Sequence, residues 1–111
     1  MSEKEIEKLL VRAVKKAGGY AFKFVSPGTN GVPDRLVVLP GNHIGFVELK
    51  ATGKQPRPEQ NYQINRLKKL GCCVLVVDSP EDIEGAIHEI GSWLDYGNDL
   101  LMDVLEAGGL I

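Results

Sequence analysis

Two strand-like runs, Arg35-Leu-Val-Val-Leu39 and Ile44-Gly-Phe-Val-Glu-Leu-Lys50, are separated by Pro40-Gly-Asn-His43. Four turn-forming residues between two such runs predict a β-hairpin, and a hairpin fixes which distant residues meet. With the turn near residues 40 to 43, pairing places Asp34 opposite residues 48 to 50. Directly paired side chains stand about 5 Å apart, and residues i and i+2 of one strand share a face. Glu48 and Lys50 therefore project together beside Asp34 at the open end of the hairpin. Two carboxylates repel, and burying them is costly unless a cation offsets their charge. Hard oxygen donors in a small cluster suit Mg2+ or Mn2+, which keep several waters and take one or two carboxylates plus phosphate oxygens. An ammonium in the same place could stabilise charge on a phosphate or orient a water. The competing explanation is structural: Asp34 as a turn residue after Pro33, and Glu48 and Lys50 as exposed members of an amphipathic strand.

The rest of the chain reads as elements that can enclose this hairpin. Residues 3 to 17 carry Ile6, Leu9, Leu10, Ala13, Val14 and Ala17 at helical spacing and stop at Gly18-Gly19. Tyr20 to Val25 is rich in strand formers, and Ser26 to Pro33 is a loop by composition. After a polar loop from Ala51 to Arg57, a helix is expected from Pro58 to Leu70, closed by Gly71. Cys72 to Val77 is almost continuously apolar, the pattern of a strand buried on both faces. Ser79-Pro80-Glu81-Asp82 opens a further helix, with Ser79 as cap and acids in the first turn. Gly91 and Gly97 divide the remainder into short helical pieces, the last from Asp99 to Ala107. The order α-β-β-β-α-β-α describes one mixed-sheet α/β domain spanning residues 1 to 111.

The formal net charge of −2 conceals a segregation. All 13 basic residues precede Val77, against six acids there, while the nine acids from Asp78 onward meet no Lys or Arg. A basic body suits a polyanion held by its phosphates, with the acidic end facing away. Lys23, Arg35, Lys54 and Arg57 are the candidate phosphate contacts. Cys72 and Cys73 are adjacent and point to opposite faces of a strand, so they neither staple the fold nor form a zinc site alone. His43 and His88 lie too far apart in the pattern for a histidine-metal site. No apolar run is of membrane-spanning length and the charged start is not a signal peptide, so a cytoplasmic protein of a bacterial or phage-infected cell is expected.

Gly31-Val-Pro-Asp34, Phe46-Val-Glu-Leu-Lys50 and Pro58-Glu-Gln60, in that order, resemble the VRR-NUC (virus-type replication-repair nuclease) branch of the PD-(D/E)xK nucleases. The resemblance runs from Glu3 to about Asp82 and joins three motifs to the expected element order. It implies a restriction-endonuclease-like core, metal ligation by Asp34, Glu48 and the Leu49 carbonyl, a catalytic role for Lys50, and a place for Gln60 near the site. It also implies a first-helix glutamate. Glu3 lies nearest the buried stripe at about 100° per residue, with Glu7 flanking it, and Glu3 is favoured.

The activity these features imply is a Mg2+- or Mn2+-dependent DNA endonuclease, selective for branched structures in the manner of a Holliday-junction resolvase. A non-catalytic nucleic-acid-binding or scaffolding module of the same fold is the alternative. Trp93, Leu94, Leu100, Leu101, Val104 and Leu105 offer more apolar surface than short terminal helices need, which suggests a homodimer.

Overall fold

The computed structural model describes residues 1–93. Its elements are α1 (Glu3–Lys16), β1 (Tyr20–Lys23), β2 (Arg35–Leu39), β3 (His43–Leu49), α2 (Pro58–Lys69) and β4 (Val74–Val77), followed by α3, helical over residues 82–93. The strands form one sheet in the order β1-β2-β3-β4. The first three are antiparallel neighbours and β4 runs parallel to β3, as it must when α2 carries the chain back between them.

Each boundary has a local cause. Ser2 caps α1 reciprocally: its hydroxyl accepts the Glu5 N–H at 3.2 Å and the Glu5 carboxylate accepts the Ser2 N–H at 3.2 Å. Gly18 ends the helix in a left-handed conformation, φ 87°. At the start of α2, Pro58 occupies the first turn, and the Gln60 side chain accepts the Arg57 N–H at 2.8 Å.

One sheet face carries the core. Ala21, Val37, Leu39, Val47, Leu49 and Val77 point to it and pack against Ile6, Leu10 and Val14 of α1 and Ile83, Ala86 and Ile90 of α3. Gly45 makes the α3 contact possible, since a Cβ there would come within 2.7 Å of the Ile90 side chain. On the opposite face Val74 and Ile64 are buried near the α2 side, while Tyr20, Phe22 and Ile44 stay 63%, 49% and 44% exposed. No helix among the described residues is long and apolar enough to cross a membrane.

Three expectations need correction. Cys72 to Val77 is buried on both faces only in part: β4 is shorter, lies at the sheet edge among the described residues, buries Val77 on one face and Val74 on the other, and leaves Val76 40% exposed. Its apolar residues serve two partly covered faces and an edge, a case that composition does not separate from a central strand. Gly91 does not divide the last third, because the helix runs through it; packing of its neighbours against the sheet outweighs the roughly 1 kcal/mol propensity cost of one glycine. Finally, Ser79-Pro80 forms a turn before the helix, with the Asp82 and Ile83 amides reaching the Ser79 and Pro80 carbonyls at 3.3 Å each. The stretch expected to end in a helix at Ala107, and the apolar set Leu94, Leu100, Leu101, Val104 and Leu105, lie outside the described residues. Both cysteines are free, and burial pushes the Cys73 thiol up to about 11, which keeps it protonated and inert.

Candidate active site

The hairpin register decides the site. Leu39 pairs with His43 and Arg35 with Val47, so one further step sets Asp34 opposite Glu48, inside the window expected from the turn. The pairing is held at its open end by side chain as well as backbone. Asp34 Oδ2 accepts the Leu49 N–H at 2.9 Å, and the Asp34 carbonyl accepts the Phe24 N–H at 2.9 Å. Asp34 thereby ties β1, β2 and β3 together where its carboxylate is needed, and keeps its second carboxylate oxygen available.

Glu48 is 1% exposed, and neither of its carboxylate oxygens has a hydrogen-bond partner. Lys50 Nζ lies 3.3 Å from Glu48 Oε2 and is itself buried, an ion pair by distance whose angles do not make a hydrogen bond. Burial, reinforced by the Asp34 carboxylate and opposed by Lys50, pushes the Glu48 carboxyl up to about 7. Two carboxylates side by side, one of them buried and without hydrogen bonds, are a pair that a divalent cation could bridge. Among the described residues no group of three His, Cys, Asp or Glu side chains converges on one point. Asp34 and Glu48 could hold a divalent metal together with the Leu49 carbonyl that the family resemblance implies, with water and phosphate oxygens completing the shell, an all-oxygen donor set of the kind Mg2+ or Mn2+ takes.

The loop between β1 and β2 brings α2 to this corner. Pro33 is fully buried, and Gly31, φ 87°, lies so close to α2 that a Cβ would come within 2.4 Å of the Glu59 carbonyl oxygen. The Gly-Val-Pro-Asp motif is thus a packing device as well as a source of the aspartate. Gln60 is buried, and its Oε1 is committed to the Arg57 N–H, leaving the amide NH2 as its free group.

The remaining candidates divide. Glu3 is exposed in the first turn of α1 and makes no hydrogen bond or ion pair with another described residue. Glu7 is engaged with Arg35, whose Nε donates to Glu7 Oε2 at 3.0 Å and whose Nη1 donates to the Ala21 carbonyl at 3.1 Å. Arg35 is consequently half-buried and mostly satisfied within the fold, which the sequence did not signal. Lys23 and Lys54 are exposed, and Arg57 is exposed with its Nε on Glu59 Oε1 at 2.8 Å.

Comparison with known proteins follows the same outline. No family model matches the sequence. A protein of Acyrthosiphon pisum secondary endosymbiont phage 1, named "Putative nuclease p44", is 56% identical over 79 residues, covering 71% of this chain and 85% of that protein. A solved structure named "VRR_NUC domain" superposes with a TM-score of 0.73 at 33% identity over 78% of this chain and 94% of its own. A second, "VRR_NUC domain protein", has a TM-score of 0.64 and 20% identity over 84% of this chain and 90% of its own, and shares the fold. With that coverage, that identity and the three motifs meeting at one corner of the sheet, the chain belongs to the VRR-NUC family.

Proposed function

We propose that this protein is a divalent-metal-dependent nuclease that hydrolyses phosphodiester bonds of DNA at the Asp34, Glu48 and Lys50 corner. The observation that carries the reading is the buried Glu48 carboxylate, neither oxygen of which is hydrogen-bonded, set between a second carboxylate and the Lys50 ammonium 3.3 Å from its Oε2. Such a group is costly to maintain in a metal-free fold and has an evident use only where a cation and a phosphate meet. Bound Mg2+ or Mn2+ would supply a water of lowered pKa and offset charge on the phosphoryl oxygens.

The chain's own residues do the rest. Asp34, fixed through the Leu49 N–H, and Glu48 present oxygens to the cation. Lys50 holds positive charge beside them, placed to offset charge developing on the scissile phosphate or to hold the attacking water. Gln60 offers its NH2 group at the start of α2, and Glu3 is the first-helix acid of this reading, since Glu7 is engaged with Arg35. Lys23, Lys54 and Arg57 meet the DNA backbone, and Arg35 does so through the one guanidinium nitrogen not bound within the fold. We extend the reading to branched DNA cut by a homodimer. Tyr20, Phe22, Val38 and Ile44 share one sheet face by register, and the exposed apolar members of that row are a described surface that a second copy would cover.

The experiment is a cleavage panel of linear, nicked, flapped and four-way-junction DNAs with Mg2+ or Mn2+, run beside sedimentation of the intact protein. Asp34→Asn, Glu48→Gln and Lys50→Ala should each remove cleavage while the circular dichroism spectrum is retained. Metal-independent binding without cleavage by the unmodified protein would replace the nuclease by a binding module of the same fold. Sedimentation as a single 12.1 kDa chain would remove the dimer.

A further inference from the structure

Helix α1 carries a row of cations that the cleavage chemistry does not use. Lys4, Lys8, Arg12 and Lys15 recur at steps of four, four and three residues, so at about 100° per residue they occupy one side of the helix. With Glu7, Val11 and Arg35 they line an open groove beside β2. The carboxylate of that groove, Glu7, is already neutralised by Arg35 at 3.0 Å. All four row residues are exposed, and none makes an ion pair with a described residue.

Local helix pairing accounts for only part of the row: Lys8 lies three residues from Glu5, whose carboxyl it helps to lower, and Lys15 sits in the last turn, where the dipole favours cations. Lys4 with Lys8 and Lys8 with Arg12 are like charges at i,i+4, each unfavourable by roughly 0.2 to 0.5 kcal/mol, and Lys4 sits in the first turn, where the helix dipole favours acids. Four aligned, exposed cations without an ion pair among the described residues, two of their i,i+4 pairs mutually repelling, fit an external polyanion. A lipid surface is a poor match, because a helix lying on a membrane needs a free apolar face, whereas Ile6, Leu10 and Val14 are fully buried in the domain's own core.

The row starts beside the loop that leaves Lys50. The Met1 ammonium donates to Thr52 Oγ1 at 3.3 Å and the Thr52 N–H donates to the Met1 carbonyl at 3.2 Å. The beginning of α1 therefore stands against the loop that leaves Lys50. From Lys4 to Lys15 the row extends about 16 Å at 1.5 Å per residue, and duplex DNA presents one phosphate charge per roughly 1.7 Å of its axis.

We infer that the α1 row is a track for the sugar-phosphate backbone of duplex DNA, holding a stretch that continues away from the cleaved bond. This inference rests on the reading of the chain as a DNA nuclease and adds a second contact surface to it. The row reads charge and spacing, not base sequence, and so acts alike on any duplex stretch.

The test compares the full-length protein with the variant Lys8→Gln/Arg12→Gln/Lys15→Gln and with a control, Arg66→Gln/Lys68→Gln/Lys69→Gln, that removes as many charges from the end of α2. Binding of a labelled duplex of about 30 base pairs is followed in EDTA, where nothing is cut, over roughly 0.05 to 0.3 M salt. Three lost phosphate contacts should lower the slope of log affinity against log salt by about 2.7 in magnitude, with an affinity loss on the order of 100-fold near 0.1 M. The control should keep the parent slope. Single-turnover cleavage at saturating enzyme with Mg2+ should be unchanged in the α1 variant, because the chemistry lies elsewhere. A parent protein that binds and cleaves, beside an α1 variant of unaltered slope, overturns the track and leaves the nuclease standing. An equal loss in the control overturns it as well, since net charge would then explain the effect. A parent protein that neither binds nor cleaves removes the nuclease reading and the track with it.

Discussion

Replacing Glu48 by Gln should make the metal-free protein more stable at alkaline pH while removing its activity. Burial and the Asp34 carboxylate raise the Glu48 carboxyl from 4.5 to about 7. A carboxyl whose folded-state pKa lies above its unfolded value binds more protons when folded, so stability falls as pH rises between the two values. Above that window the charged Glu48 costs about 3 kcal/mol, at 1.36 kcal/mol per pKa unit. Near pH 5 most of that cost is absent, because folded Glu48 is still protonated; near pH 8 almost all of it is present. Glutamine keeps the shape and never ionises. The stability of Glu48→Gln relative to the parent should therefore rise by about 2.5 kcal/mol between about pH 5 and pH 8. Urea unfolding in EDTA at both values measures it, with the comparison between pH values cancelling any fixed packing difference. A relative stability that is flat across that range, or that falls, would show that Glu48 is not held in a desolvated, like-charged place, and would falsify the electrostatic basis of the site. Such a gain in stability on losing a functional group is the usual trade at a strained active site.

Cleavage under metal-limited conditions should weaken as pH falls through about 7, because Glu48 must lose its proton before it can act as a ligand; a profile flat from about pH 8 to pH 5.5 would count against Glu48 as a ligand. Millimolar Mg2+ at neutral pH should raise the thermal midpoint of the parent and not of Asp34→Asn or Glu48→Gln, through binding to the folded state alone, as differential scanning calorimetry would show. Gly31→Ala should destabilise by roughly 1 to 3 kcal/mol and lower cleavage, since the residue has φ 87° and its new Cβ would meet the Glu59 carbonyl at 2.4 Å, pushing α2 from the site; unchanged stability would show that the loop yields freely. Leu10→Ala, at a fully buried position of α1, should cost about 2 to 5 kcal/mol in urea unfolding.

Local chemistry written along the chain determined most of what can be said about this protein. The turn Pro40 to His43 fixed the antiparallel register, and register alone carries Asp34 to Glu48, because hairpin pairing is a matter of counting. The helical spacing of Ile6, Leu10 and Val14 fixed the buried side of α1. Both signals are periodic, and the interactions behind them are short-range or set by one turn. Tertiary structure decided what depends on neighbours distant in sequence. Among the described residues it put β4 at an edge, so an apolar run that reads as central buries Val74 and Val77 but leaves Val76 exposed. It turned Arg35 inward to Glu7 and the Ala21 carbonyl, 28 and 14 residues away, where charge counting had left it free for phosphate. It made Gly31 a contact with α2 and drew the Gln60 carbonyl oxygen into capping its own helix. Above all it buried Glu48. A sequence can place two carboxylates about 5 Å apart, but only the surrounding packing removes water from one of them, and it is that loss of solvation, more than the proximity of Asp34, that raises its pKa and leaves its oxygens without hydrogen bonds.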